Sequence, residues 1–211
     1  MFRSDSLFSR FMNVLFDILF TGILWLLCCI PVVTMGASTT AAYYTMSKVV
    51  RHKTGYVHKE FFHSFRSNFK QSTQMGLAFL LIMGVVAVDI WYVWVNDSKL
   101  NSALFMVLLL IAFLVMAVIT YYFPLLSRFD KRNVEMLKLS AIVAFRYLPL
   151  TICILIVFMI SVIGIYLMPW AVLVIPGIYL YLLSFPMEYI LRKLMPAVEE
   201  GSEEAEKWYY Q

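Results

Sequence analysis

Charge is what this chain has least of. Only 14% of its 211 residues are Asp, Glu, Lys or Arg, where soluble domains carry about 25%. A water-soluble protein of this size could not bury the 62% that is hydrophobic. Cysteine is also scarce. Cys28, Cys29 and Cys153 all lie inside apolar runs, so they read as small packing residues in a reduced state, not as a disulfide framework. No Cys/His spacing fits zinc. Missing too are a His-Glu-x-x-His pair, a phosphate-cradling glycine loop and a Gly-x-Ser-x-Gly elbow. His52, His58 and His63 all fall in one basic segment, so a serine-histidine couple inside a membrane is excluded as well. The expectation is a protein that is not an enzyme and that holds no cofactor and no metal.

Long apolar runs are abundant. Phe11–Val33 holds one charge, Gly76–Val95 one, and Ser102–Ser127 and Tyr147–Met187 none. A helical membrane span needs ~20 such residues. The last run accommodates two spans, with Met168-Pro169-Trp170 as the turn between them. Arg3 and Arg10, an apolar core and the small residues Gly36–Ala42 imitate a signal peptide. That core is about twice the 7–15 residues of a signal h-region and contains Asp17, so an uncleaved first span is expected.

The segment Val32–Val50 is rich in Gly, Ala, Ser and Thr, and a hydropathy window tends to pass over it. The positive-inside rule arbitrates. With six spans, about 9–31, 33–51, 71–95, 102–127, 147–167 and 170–192, and a cytoplasmic N-terminus, only Lys99 among the 17 Lys and Arg residues lies outside. With five spans, Arg3 and Arg10 would also be misplaced. Six is the expected number, and a re-entrant 33–50 segment surrounded by protein or water is the alternative.

Phe61, Phe65 and Phe69 recur every four residues beside Lys59, Arg66 and Lys70. That pattern is a cationic amphipathic helix at headgroup level, about 56–70, with Gly55 suited to cap the helix before it. A second runs about 133–147 and carries Arg146. Tyr43-Tyr44 followed by Phe65-Arg66 and Thr73 parallels Tyr121-Tyr122 followed by Phe145-Arg146 and Thr151, and Phe123-Pro124 recurs as Phe185-Pro186. The plan is three hairpins linked by interfacial helices. The fold class is therefore an all-α polytopic bundle, with a membrane domain over 1–195. Residues 196–211 form an acidic cytoplasmic tail, where five glutamates oppose Lys207. The tail's net charge of −4 leaves +8 on the rest. That excess suits anionic lipid headgroups and not nucleic acid.

An acid inside a span is a functional candidate because burying it is costly. Asp17, Asp89 and Glu188 qualify. Interfacial solvation is the plainer reading for Asp89 and for Glu188, the latter helped by Arg192 four residues on. Asp17 reads first as a structural hydrogen-bonding group. In the second span, Gly36, Ala37, Thr40 and Ala41 sit at helical spacing and fit close backbone approach. Ser38, Thr39 and Thr40 could instead line a polar pathway. Lys59, Arg66, Lys70 and Arg146 are the candidate interfacial basic residues.

The stretch Pro31-Val32-Val33-Thr34-Met35-Gly36-Ala37-Ser38-Thr39-Thr40-Ala41, continuing through Tyr43-Tyr44, Arg51, Gly55 and Phe61 to Lys70, resembles the YesL-like family of bacterial membrane proteins. That family has no established activity. The resemblance implies a plasma-membrane protein working near a carbohydrate uptake system, and it supplies no catalytic residues. The functional expectation is an accessory or interaction component, with the bilayer and a carbohydrate transport system as partners. The alternative is a small-solute transporter or channel using the polar face of the second span with Asp17.

Overall fold

Only helices and closed barrels satisfy every backbone polar group inside lipid, and the regular structure among the described residues is all helical. The computed structural model describes residues 7–95, 99–129 and 131–195; the acidic tail expected at 196–211 lies outside them. Seven α-helices follow one another: α1 (Leu7–Cys29), α2 (Met35–Thr45), α3 (Val57–Val95), α4 (Lys99–Leu126), α5 (Asn133–Arg146), α6 (Leu148–Leu167) and α7 (Ile175–Leu194). Short 3-10 turns, Val32–Thr34 and Pro169–Leu173, lead into α2 and follow α6. The second of these breaks the long apolar run where Met168-Pro169-Trp170 predicts a turn. Proline has its usual places: Pro149 and Pro176 start α6 and α7, while Pro124 and Pro186 sit inside α4 and α7.

Among the described residues, four helices are long and apolar enough to cross a membrane: Phe11–Cys29 of α1, Val57–Val95, Ala103–Leu126 of α4, and Leu148–Leu167. The chain is a helical membrane protein. Of the three helices that fail this test, α5 is short and half exposed, whereas α2 and α7 are the most enclosed by protein. α2 packs against α1, α3, α4 and α7, and eight of its eleven residues are buried. A helix wrapped in other helices has no need of a lipid-soluble surface, so its polar residues lower the hydropathy without penalty.

Two features depart from the sequence reading. The segments expected as an interfacial helix at 56–70 and a span at 71–95 form one unbroken helix, α3. Nothing between Lys70 and Gly76 breaks it, as no proline or glycine intervenes. Its 39 residues reach about 58 Å against a hydrocarbon core of about 30 Å. The helix is therefore longer than such a core is thick, and its charged residues other than Asp89 gather in the first turns, up to Lys70. The second departure follows α2, which continues as a π turn, Met46–Arg51. The left-handed residue ending that turn is Lys53 (φ 55°), with Gly55 (φ 87°) two residues later. Gly55 serves another purpose: a Cβ there would stand 2.7 Å from Glu60 Oε1, so glycine lets Glu60 fold back and meet Lys48 Nζ at 2.7 Å.

Two glycine pairs set the tightest crossings. A Cβ on Gly36 would fall 2.3 Å from the Ser72 carbonyl oxygen and 3.1 Å from Gly76 Cα, and one on Gly177 would fall 2.6 Å from the Ile18 carbonyl oxygen. Thus α2 meets α3, and α1 meets α7, almost backbone to backbone. The core is lopsided. On α4 the buried apolar residues are Ala117, Tyr121, Tyr122, Phe123, Leu125 and Leu126, near its end, while Leu104, Met106 and Leu110 are exposed. Burial concentrates where α4 ends, α5 packs and α6 begins.

Candidate functional site

Three chain segments bring polar residues to one buried point. Ser47 lies in the π turn after α2, Arg128 just past the end of α4, and Glu188 two residues after Pro186 in α7. Ser47 Oγ donates to Glu188 Oε1 at 2.5 Å. Arg128 Nη2 donates to Ser47 Oγ at 2.8 Å and also directly to Glu188 Oε1. The side chains of Arg128 and Glu188 are only 1% and 3% exposed, so this ion pair is withdrawn from solvent. His52 Nε2 stands 3.9 Å from the other carboxylate oxygen. Arg51 lies over the Phe185 ring at 4.6 Å and donates to the Ser184 carbonyl at 2.5 Å, one turn before Glu188.

Electrostatics around His52 are mixed. Burial is the largest influence and lowers its pKa; Glu188 pulls it back up, and Arg128, Arg192 and Arg51 push it down again. The net shift is downward, so the imidazole stays neutral to lower pH than a free histidine. The π turn contributes as well. Such turns interrupt regular helical register and recur at functional sites; here it carries Ser47 and Arg51, two of the residues that reach α7.

This cluster corrects the reading of Glu188. Its partner is Arg128, 60 positions away, and it is buried; interfacial solvation with Arg192 does not describe it. Arg128, counted in the sequence as one more basic loop residue, is inside the protein.

The other candidates are dispersed. Thr40 is buried, donating to the Gly36 carbonyl at 3.1 Å and sharing a 3.0 Å hydrogen bond with Ser72. Thr39 donates to the Met35 carbonyl and accepts from Trp25 Nε1 at 3.2 Å. Ser38 is buried. Asp17 is half-buried on α1, and among the described residues no hydrogen bond links its carboxylate to Ser38, Thr39 or Thr40. Asp89 is exposed on α3. Lys59 and Arg66 are exposed and share a shallow surface hollow with Phe62, His63 and Ser67; Lys70 and Arg146 are exposed elsewhere. Among the described residues no group of three or more His, Cys, Asp or Glu side chains could hold a metal ion.

A cavity of about 410 Å³ lies beside the cluster, lined by Trp25, Thr39, Tyr43, Phe123, Pro124, Leu183 and other residues of α1, α2, α3, α4, α6 and α7. Tyr43, Pro124 and Leu183 precede Ser47, Arg128 and Glu188 by four, four and five residues. On all three segments the charged layer thus follows the cavity by about one helical turn.

Residues 18–90 match a family described as "Protein of unknown function, DUF624". That stretch encloses Pro31–Lys70, on which the YesL-like resemblance rests, and it includes α2 and the π turn. The chain is also similar to the uncharacterized protein YteU of Bacillus subtilis (strain 168). The two are 24% identical over 203 residues, covering 94% of this chain and 90% of the relative. No solved structure matches.

Proposed function

We propose that this chain is a non-enzymatic accessory component of the plasma membrane, acting through contacts at its cytoplasmic face. In this reading six helices cross the bilayer as three hairpins: α1 with α2, the apolar part of α3 with α4, and α6 with α7. Both termini are cytoplasmic. The observation that supports it best is how the polar residues of α2 are used. Thr39, Thr40 and Thr45 all donate to carbonyls of their own helix, and Thr40 adds its bond to α3. The Thr40–Ser72 and Trp25–Thr39 bonds tie α2 to α3 and α1; the three threonine donors are spent on their own backbone and are not free to escort a solute.

The contact surface is the protruding start of α3. Lys59, Phe62, His63, Arg66, Phe69 and Lys70 are all exposed there, presenting cations and aromatic rings beyond the membrane. A carbohydrate transport system as partner rests on the YesL-like resemblance. The test is affinity purification from gently solubilised membranes of the native host. Recovery of transport-system subunits, lost on Lys59→Glu with Arg66→Glu, supports the proposal. Repeated recovery of no transport or signalling component contradicts it.

A second reading, a small-solute transporter or channel using the polar face of α2 with Asp17, rests on that acid lying half-buried within an apolar helix. Asp17→Asn should then abolish flux in reconstituted vesicles. Unchanged flux, or no flux in the unaltered protein, removes that reading.

A further inference from the structure

We propose that the cavity between α4 and α6 is a binding site for one acyl chain of a bilayer phospholipid, entered sideways from the membrane. Its shape follows from how these two helices meet. Tyr121 OH and Thr151 Oγ1 share a 2.9 Å hydrogen bond near the last turn of α4 and the first turn of α6, and Thr151 also donates to the Ala144 carbonyl of α5. Met116 and Thr120 on one wall, and Phe158 and Ser161 on the other, line the cavity. The cavity thus runs along the apolar stretches of α4 and α6, with α1, α2, α3 and α7 completing its wall.

Chemistry selects the occupant. The lining is overwhelmingly apolar, and its aliphatic hydroxyls are already used. Thr39 donates to Met35, Thr120 to Met116 and Ser161 to Val157, all backbone carbonyls. Water entering such a space would lose hydrogen bonds without regaining them. A polar solute would be stripped of its hydration for no return. A hydrocarbon chain loses nothing there. The volume, about 410 Å³, falls within the roughly 300–1,000 Å³ of ligand sites.

Access is sideways. Val162 on the rim is 45% exposed and lies within the apolar span of α6, whereas Tyr43 at the inner wall is fully buried. The solvent meeting Val162 in a membrane is lipid. The chain therefore enters between α4 and α6 and ends against Tyr43, Phe123 and Leu183, one turn short of the Glu188–Arg128 pair. This site is independent of the protein-contact role proposed above, and either can fail without the other.

Photocrosslinking tests the proposal directly. The full-length protein is reconstituted in phosphatidylglycerol vesicles containing a phosphatidylglycerol with a diazirine in its acyl chain. After irradiation, adducts are mapped by mass spectrometry. Met83 and Met116, which line the cavity, should be labelled, alongside the outward-facing Met106 and Met159, which are 72% and 56% exposed. Ser161→Phe fills the cavity and should lower labelling of Met83 and Met116 by about tenfold, the effect of weakening occupancy by one decade of affinity, while Met106 and Met159 keep theirs. Thr120→Phe does the same from the opposite wall and serves if Ser161→Phe does not fold. Labelling confined to the outward methionines overturns the site. Cavity labelling obtained only with a free diazirine fatty acid overturns the phospholipid as its source. Labelling of the cavity unchanged by both folded variants also overturns the proposal.

Discussion

A carboxylate and a guanidinium taken out of solvent together gain little over a well-packed apolar pair, yet removing one strands the other. Arg128 and Glu188 are in that position. Arg128→Met should cost about 3–5 kcal/mol by leaving the carboxylate buried without its cation, and Arg128→Met with Glu188→Leu should recover most of the loss. Thermal unfolding in detergent measures both. His52 adds a pH dependence. Its folded pKa lies below the ordinary value of 6.5, so the unfolded chain takes up the proton first as pH falls. Its contribution to stability is complete above about pH 6.5 and is lost below it. The unfolding midpoint should therefore drop as pH falls below about 6.5, and His52→Gln should show less of that drop. At this scale the sequence was only half legible. Glu188 stands out as an acid amid apolar residues, and Asp17 does too, but no local pattern shows that Glu188 pairs with Arg128. The Phe-Pro recurrence before Arg128 and before Glu188 was the one available signal.

Helix α2 shows how a short, polar element becomes the centre of a membrane bundle. Its small residues announce close packing in the sequence, and the Gly36–Gly76 crossing bears that out. Gly36→Ala should destabilise by about 1–3 kcal/mol, because the Ser72 carbonyl it meets is backbone and cannot swing aside. Gly84→Ala is the control: a Cβ there meets nothing within 4 Å, and the helix gains up to about 1 kcal/mol of intrinsic propensity. Thermal midpoints of the two variants should move in opposite directions. Helix positions were legible to within a few residues at α1, α4, α5 and α6, where apolar runs end at charge or proline. The π turn was not, since it depends on the contacts Ser47 and Arg51 make with α4 and α7. Nor was the continuity of α3, where amphipathic and apolar patterns adjoin with no residue to separate them.

The whole molecule is organised around one end. Buried residues, the charged cluster and the α4–α5–α6 junction share it, while the far parts of α3, α4 and α6 present apolar side chains outward. Tyr43-Tyr44, Tyr121-Tyr122 and Phe185-Pro186 each lie within about two turns of a cluster residue, namely Ser47, Arg128 and Glu188. The faint internal repeat therefore coincides with the three segments that build the cluster. The account depends on these three segments running in the same direction across the bilayer, which requires α2 to cross it. Cysteine accessibility in intact cells decides this, using a variant in which Cys28, Cys29 and Cys153 are replaced by alanine. The account predicts that Val33→Cys reacts with a membrane-impermeant maleimide from outside, whereas Lys53→Cys reacts only after permeabilisation. Labelling of both positions from the same side would contradict it.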